Sequence, residues 1–431
     1  MGKQIVKKTL QNGLTIHLKE IHTAPIISHW AWYRVGSRNE AIGQKGISHW
    51  VEHMQFKGTP DMPASVLDKA ISRTGGYWNA FTYLDWTAYF QTLPAKDIDL
   101  ALKLEADRMV NCLYEPEEVE SERTVIISEL EGGENEPMVR LSRAMQRAAF
   151  DQHTYKYEVI GEKEDLLHLK RDDLFDYYQL YYAPNNALIA LAGDFDAQEM
   201  LIRLENLYRD LKPSELLTEG ILGEPIHQEE RRVEQGGPGD TTYLRVSYHA
   251  PEASNPDFFA LSVLDSLFSG PSGLNMFGGG GVSNKTSRLY KKLVEREYAV
   301  GLSGGAHATI DPYLYDITMV IHPDKNAETA LCVLGEEVER LQNDLVSETE
   351  INRAIKQAKA LFAYGTENIT NQGFWLGYAE MFDKYDWFAS YIDELEKVTS
   401  EDIQRIAQTY LRKNNRVVGT YKPENQGGKA S

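Results

Sequence analysis

The sequence predicts an α+β protein made of two homologous domains, each a mostly antiparallel sheet packed with helices. A chain of 431 residues is too long for one ordinary core, so two or more domains are expected. An Asn-Gly pair at 12–13 separates two runs of alternating apolar and polar residues, which predicts an antiparallel hairpin. The spacing from Gly76 to Pro94 recurs from Gly305 to Pro323, each time as a strand pair leading into a helix, and this indicates a duplication of roughly 200 residues.

The first half of the chain alternates predicted strands and helices. Apolar periodicity, turn residues and Pro or Gly boundaries place them in order. The predicted elements are a hairpin and a strand within 4–35, helices from 46 and over 64–73, strands over 77–93, helices over 98–111, 116–131, 138–150 and 166–182, a strand over 187–192 and a helix over 198–211. Gly, Pro and a charged run in 213–233 predict a linker. The expected domains are therefore 1–212 and 234–431.

Composition limits the classes of protein that the chain can belong to. Hydrophobic residues make up 42% and charged residues 25%, as in soluble globular proteins. The net charge of −19 argues against nucleic acid as a partner, because phosphate binding needs clustered positive charge. An acidic surface favours basic or neutral peptides.

The cysteines and the N-terminus give expectations about compartment. Cys112 and Cys332 are the only cysteines and lie far apart in the sequence, so two buried free thiols are expected rather than a disulfide. Residues 1–8 lack the apolar region of a secretory signal, which predicts a cytoplasmic protein, or a periplasmic one if a signal was removed. No stretch reaches 18 continuous apolar residues, so no membrane span is expected.

Residues 46–58 contain the motif His49-x-x-Glu52-His53. On a helix the two histidines are one turn apart and can hold one metal ion, while Glu52 lies where it could take a proton from a water at that ion. With 11 His in 431 residues, this combination is expected by chance only roughly 0.02 times. A surface helix with solvated side chains is the alternative.

A catalytic zinc needs a third protein ligand and one open position. The best candidate segment is 116–131, where Pro116 suits a helix start and early acidic residues suit its dipole. Glu122 and Glu129 are seven residues apart and share a face. A carboxylate near an apolar face needs a partner, and a cation is one. An ordinary solvated charged face is the alternative.

Residues 46–59 resemble the active-site segment of the pitrilysin-type (M16, inverzincin) metallopeptidases, which include mitochondrial processing peptidase and insulin-degrading enzyme. The family's third ligand lies about 76 residues after the second histidine, which matches Glu129, and a supporting Glu seven residues earlier matches Glu122. Residues 75–82 and 182–194 match two further family segments. The resemblance covers essentially the whole chain and is greatest to the bacterial small-subunit type related to mitochondrial processing peptidase.

This resemblance implies a zinc endopeptidase acting on unfolded peptides or small polypeptides in a closed chamber, which the second domain completes. One Zn²⁺ per chain would be held by His49, His53 and Glu129, with Glu52 as the base and Glu122 orienting a ligand. The peptide would add as a strand to the sheet edge near 79–82. The expected substrate contacts are Asn79, Ala80, Phe81 and Arg288. For Asn79, a plain turn or edge residue is the alternative.

The metal site is not expected to be duplicated in the second half. The segment matching the metal helix, 258–270, contains no His. Aligning Glu118 with Glu350 places Ala354 opposite Glu122 and Leu361 opposite Glu129.

The family's second half supplies an Arg–Tyr pair near the scissile carbonyl. Arg288 matches the Arg, but Val300 falls at the Tyr position, with Tyr298 nearby. Residues 277–283 resemble the family's glycine-rich loop. The expected assembly is a homodimer, or a heterodimer with a homologous M16 subunit that supplies the pair. The alternative function is a non-catalytic structural subunit, although such family members usually lack an intact metal motif.

Overall fold

Two β-sheets organise the residues that the computed structural model describes, which are 5–216, 220–274 and 282–424. The first sheet contains six strands, β1 Val6–Thr9, β2 Thr15–Glu20, β3 Ile26–Tyr33, β4 Tyr77–Thr82, β5 Thr87–Pro94 and β6 Ala187–Gly193. The second contains five, β7 Arg231–Gly237, β8 Tyr243–Ala250, β9 Ala299–Ala306, β10 Tyr313–Ile321 and β11 Arg416–Pro423.

The described α-helices pack against these sheets. In the first half of the chain they are α1 Ile47–Met54, α2 Ala64–Arg73, α3 Ile98–Asn111, α4 Pro116–Gly133, α5 Pro137–Ala149, α6 Lys163–His168, α7 Arg171–Tyr181 and α8 Ala197–Tyr208. In the second half they are α9 Asp257–Phe268, α10 Ala327–Asn343, α11 Glu348–Tyr364, α12 Ile369–Phe382, α13 Tyr385–Lys397 and α14 Ser400–Tyr410.

The strand orders confirm the predicted duplicated α+β fold. The first sheet runs β1-β2-β6-β3-β5-β4 and the second runs β7-β11-β8-β10-β9. In each sheet one parallel pair, β2 with β6 or β7 with β11, is followed by three antiparallel pairs. Strand β1 has no described counterpart in the second sheet. The other five strands of the first sheet, β2-β6-β3-β5-β4, match β7-β11-β8-β10-β9 in order and direction.

The predicted hairpin at 12–13 is confirmed, with β1 and β2 antiparallel around it. Two other predictions need correction. Residues 166–182 form two helices rather than one, because the Asp173 carboxylate accepts the backbone N–H of Lys170 at 2.8 Å and caps a new helix there. The end of the predicted linker is a strand, since β7 pairs with β11, and that partner lies almost 190 residues further along the chain.

The chain forms two compact units that do not coincide with its two halves. Unit 1 contains residues 1–130, 157–221 and 366–385, and unit 2 contains 131–156, 222–365 and 386–431. Thus α12 from the second half packs on β3 and β6 of unit 1, and α5 from the first half packs on β7 and β11 of unit 2. The predicted division into 1–212 and 234–431 does not include this exchange, which depends on contacts distant in sequence.

The two cysteines have different surroundings. Cys112 is a buried free thiol whose Sγ lies 3.2 Å from the carbonyl oxygen of Met54, as predicted. Cys332 is exposed, so the prediction of a buried thiol was wrong there. It lies on the solvent side of α10, beside the buried Leu331. Among the described residues, no helix has both the length and the apolar character needed to cross a bilayer.

Candidate metal centre

A buried carboxylate anchors the helix that carries the His-x-x-Glu-His motif. Helix α1 starts after Gly46, whose φ of +97° suits glycine. The two oxygens of Glu40 accept the backbone N–H groups of Gly46 at 2.9 Å and Ser48 at 3.0 Å. These are donors that a helix N-terminus otherwise leaves without partners. Glu40 therefore sets where α1 begins and how its next turn is oriented.

The three predicted metal ligands converge in unit 1. The Nε2 atoms of His49 and His53 are 3.2 Å apart, and Oε2 of Glu129 is 3.8 Å from Nε2 of His53. Ligand atoms of all three residues lie within 4.8 Å of one another. Two nitrogens bound to one tetrahedral zinc are about 3.3 Å apart, given metal–nitrogen bonds of about 2.0–2.1 Å. The donor set therefore fits a zinc ion.

Glu122 determines which nitrogen of His53 faces the other ligands. Its Oε1 accepts the Nδ1–H of His53 at 2.8 Å, which leaves the Nε2 lone pair directed at His49 and Glu129. The hydrogen bond from His53, together with an ion pair from Lys57, lowers the pKa of Glu122 to about 2. Burial opposes protonation of His53, but the hydrogen bond and the surrounding carboxylates outweigh it and raise the pKa of that imidazole.

His49 has the environment of a neutral ligand. Its Nδ1 is buried and has no hydrogen-bond partner among the described residues. Burial, and then the neighbouring His53, lower the pKa of His49 to about 3. A neutral imidazole is the form that binds a metal.

Glu52 lies beside the ligands as a buried carboxylate, with 8% of the residue exposed. The Thr82 hydroxyl donates to its Oε2 at 2.5 Å. Burial raises the pKa of Glu52, although the bond from Thr82 and the charge of His53 oppose the shift. Oε1 has no donor in the described part of the chain. This is a suitable arrangement for a general base.

The expected substrate contacts of the first half lie on β4, at the edge of the first sheet. Asn79 is exposed and its side chain accepts the N–H of Ala80 at 2.9 Å. Ala80 is buried, and the ring of Phe81 stacks on Phe90 with centroids 6.1 Å apart. These three residues are therefore positioned at an edge, where an extended chain could pair.

In unit 2, Arg288 has a partner within the chain. Its guanidinium donates to both oxygens of Glu350 at 3.0 Å. Val300 is 56% exposed, and Tyr298 lies just before β9. Most of the glycine-rich stretch 277–283 lies outside the described residues.

In unit 2, the helices α9 and α11 correspond to α1 and α4. They lack metal-ligating side chains at the aligned positions. Ala354 and Leu361 are buried on α11, in place of Glu122 and Glu129. The Ser266 hydroxyl of α9 donates to the Ala354 carbonyl at 2.8 Å, so the two helices do pack together as the duplication requires.

A second group in unit 2, formed by Asp151, Glu224 and His227, also brings possible ligand atoms within 4.8 Å. Its carboxylates already have partners. Arg231 donates to both oxygens of Asp151 at 2.9 and 2.6 Å, and Glu224 accepts backbone N–H groups of 151–153. The arginine charge at this position opposes a cation, so we interpret the group as a structural network.

Sequence reasoning missed three supporting residues of the centre, Glu40, Lys57 and Thr82. Lys57 follows His53 by four residues, just past the end of α1, and could have been found from that spacing. Nothing in the sequence relates Thr82 to Glu52 or Glu40 to the start of α1, because α2 and most of β4 separate the first pair and a loop separates the second.

Two family models match most of the chain. The model described as Insulinase (Peptidase family M16) matches residues 15–163, and the one described as Peptidase M16 inactive domain matches 168–358. An uncharacterized zinc protease of Mycobacterium leprae is 27% identical over 95% of this chain and 90% of its own length. The mitochondrial-processing peptidase subunit beta of Lentinula edodes is 26% identical over 94% and 86%.

A solved structure shows the same fold. The crystal structure of a protease from Helicobacter pylori has a TM-score of 0.90 at 24% identity, covering 98% of this chain and 100% of that one.

Proposed function

The chain belongs to the M16 family of peptidases, and on this premise we propose that it is a zinc-dependent endopeptidase that hydrolyses unfolded peptides or small polypeptides. The observation that supports this most strongly is the convergence of His49, His53 and Glu129, with the buried carboxylate of Glu52 beside them. The names of relatives, which include zinc proteases, support zinc as the metal.

In this proposal His49, His53 and Glu129 hold one zinc ion per chain. When bound, zinc acts as a Lewis acid that polarises a carbonyl oxygen and lowers the pKa of water. Glu52 accepts a proton from the attacking water and returns it to the leaving amine. Because Thr82 occupies Oε2 of Glu52, the proton is taken at Oε1.

Glu122 acts by positioning and not by contact with substrate. It holds His53 in the tautomer that directs Nε2 at the metal, and its ion pair with Lys57 keeps it ionised. The exposed edge of β4 supplies backbone groups to an extended peptide, with Asn79, Ala80 and Phe81 beside the bond to be cut. Pairing through the backbone is largely independent of peptide sequence, so selection by length and conformation follows.

A second subunit is part of the proposal, because Arg288 is already neutralised by Glu350 and Val300 stands where a tyrosine is expected. A heterodimer with a homologous M16 subunit that supplies an Arg–Tyr pair would complete the site. A homodimer is the alternative assembly, in which each copy carries the same Arg288 and Val300. Gel filtration with activity of the chain purified alone tests this. A zinc-loaded but inactive chain that becomes active with a homologue supports the heterodimer, and full activity as a monomer contradicts both assemblies.

The catalytic proposal is tested by Glu52→Gln and Glu129→Ala in a cleavage assay on an unstructured peptide, with zinc content measured for each protein. Glu52→Gln should retain zinc and lose kcat by about 10²–10⁴-fold, since only the base is removed. Glu129→Ala should lose zinc. Substantial turnover by Glu52→Gln would contradict the role of Glu52 as the base. Unchanged zinc content in Glu129→Ala would show that another residue is the third ligand. A wild-type chain that binds zinc but does not cleave, either alone or with a homologous M16 subunit, would favour the structural-subunit alternative.

A further inference from the structure

A cavity of about 710 Å³ in unit 2 is lined by three arginines of one helix. This volume is in the range of ligand sites. The main lining residues are Arg140, Arg143 and Arg147 of α5, Glu134 and Asn135 before that helix, and Gln235 of β7. The lining therefore contains three positive charges and one negative charge, in a chain with a net charge of −19.

The arginines share one face of α5, because they are three and seven residues apart. Leu141 and Met145 on the other side of the helix are buried. Like charges at such spacings destabilise a helix by a few tenths of a kcal/mol per pair. Helix stability therefore does not explain why three arginines share this face. Glu134 offsets one charge, with 3.4 Å to Nη1 of Arg143. Arg140 forms no ion pair with a carboxylate of the described residues.

The strand beside this face is a sheet edge. β7 pairs with β11 on one side only in the described structure, whereas its counterpart β2 in the first sheet carries β1 on its outer side. Arg231 and Gln235 of β7 point towards α5, since Arg231 donates to the Ala148 carbonyl at 2.7 Å and Gln235 lines the cavity. A chain added to this edge would place alternate side chains next to the arginines.

We propose that the β7 edge and the α5 arginines bind an extended acidic segment of a peptide. The peptide backbone pairs with β7, and its carboxylates meet Arg140 and Arg147. The helix rise separates these two arginines by about 10 Å, and same-face residues of a strand are about 7 Å apart, so two or three carboxylates at alternate positions can be engaged. Hydrogen bonds between arginine and a carboxylate are charge-assisted and often bidentate, so they are stronger than hydrogen bonds between neutral groups.

This inference rests on the proposed peptidase function, to which it adds the class of peptide that the enzyme selects. A preference for acidic peptides is also the opposite of the preference for basic or neutral peptides that the net charge predicts. A chain of −19 repels acidic peptides at long range, so preferential binding of one requires a local positive site.

Binding is tested without turnover in the full, zinc-loaded Glu52→Gln chain. The probe is a fluorescent ten-residue peptide with Glu at alternate positions, compared by anisotropy with the same peptide carrying Gln instead. Arg140→Gln/Arg147→Gln should weaken the Glu peptide by about five- to tenfold and leave the Gln peptide unchanged. The matched control is Arg209→Gln/Arg412→Gln, which removes the same charge from exposed arginines outside the cavity and should change neither.

Equal affinities for the Glu and Gln peptides would overturn the proposal, as would a Glu peptide unaffected by the α5 substitutions. Binding of inorganic phosphate at the arginines without binding of the peptide would also overturn it. If Arg140→Gln/Arg147→Gln fails to fold in a thermal melt, Arg140→Lys/Arg147→Lys replaces it, because lysine keeps the charge. In that variant, raising the salt concentration to about 0.5 M must weaken binding of the Glu peptide and leave binding of the Gln peptide unchanged.

Cleavage by the wild-type chain separates this inference from the proposed function. The Glu peptide should have a lower KM than the Gln peptide at similar kcat, and the α5 substitutions should raise that KM. Charge-dependent binding without any cleavage, by the chain alone and together with a homologous M16 subunit, leaves the acidic-peptide site standing and contradicts the peptidase. Cleavage with no charge preference contradicts the site alone.

Discussion

At the residue scale, Glu122 is the side chain that orients His53 in the proposed metal site. Its hydrogen bond to Nδ1 is 2.8 Å long and holds the tautomer in which Nε2 is free. Lys57 forms an ion pair with the same carboxylate, so Glu122 lies between the histidine and the lysine and contacts both. Removing the middle member leaves both neighbours without their main partner.

Glu122→Ala should therefore weaken zinc binding by about 10–100-fold while the chain stays folded. Competition with a chromogenic zinc chelator measures the affinity, and circular dichroism monitors the fold. Glu118→Ala is the matched control, because Glu118 is on the same helix and contacts Lys57 but not His53. Equal zinc affinity of the two variants would contradict the role of Glu122.

The candidate ligands could be chosen from the sequence, whereas their environment could not. A spacing of four residues places His49 and His53 on one face of any helix. The resemblance to a family supplied Glu129 and Glu122, which spacing alone left among several acidic residues. The bond from Thr82 to Glu52 arises because β4 lies beside α1, and no local pattern encodes that neighbour.

At the element scale, the start of α1 depends on a carboxylate that is costly to ionise. Burial raises the pKa of Glu40 to about 7, against the opposing effect of the N–H groups of Gly46 and Ser48. Its folded pKa lies above its unfolded value of 4.5, so the stability it contributes is complete below pH 4.5 and is lost as pH rises through 7.

The unfolding free energy of the wild type relative to Glu40→Gln should therefore fall by about 3 kcal/mol from pH 4 to pH 8. Urea unfolding of both proteins across this range measures it, and the slope is independent of any constant cost of the amide. A difference that stays flat with pH would show that folding does not raise the pKa of Glu40.

Helix α12 approaches the first sheet through two glycines. A Cβ at Gly373 would lie 2.7 Å from the indole of Trp30, and one at Gly377 would overlap the indole of Trp32. Both indoles are fully buried, so they have little room to move.

Gly377→Ala should destabilise unit 1 by up to about 2 kcal/mol, because an overpacking cost of about 1–3 kcal/mol is offset only by a gain of about 1 kcal/mol in helix propensity. Gly335→Ala on α10 is the control. A Cβ there meets nothing within 4 Å, so about 0.5–1 kcal/mol of stabilisation is expected. Thermal unfolding distinguishes them, and two changes of the same sign would contradict the packing argument.

At the scale of the whole molecule, neither half of the sequence contains a complete unit. Residues 1–216 lack α12, which covers the Trp30 and Trp32 side of the first sheet. Unit 2 likewise uses α5, where Gly419 of β11 packs against Met145. Each sheet is therefore sealed by a helix that comes from the opposite half of the chain.

A fragment of residues 1–216 should consequently lack a cooperative thermal transition and bind a hydrophobic dye, because it exposes a buried aromatic face. The same fragment with residues 366–385 joined through a flexible linker should regain a sharp transition. The control is a fusion with those 20 residues in scrambled order. A cooperative transition in the unfused fragment would show that α12 is dispensable.

The sequence by itself determined the α+β class, the duplication, most element boundaries of the first half and the histidine pair, because each depends on residues close together or on spacings that recur. Tertiary structure alone decided the exchange of α5 and α12, the pairing of β7 with β11, the exposure of Cys332 and the contacts of Glu40, Thr82 and Arg288. These depend on which surfaces meet when distant segments pack. Local propensity carries no information about that meeting, since a side chain can be buried, paired or exposed without any change in its immediate neighbours.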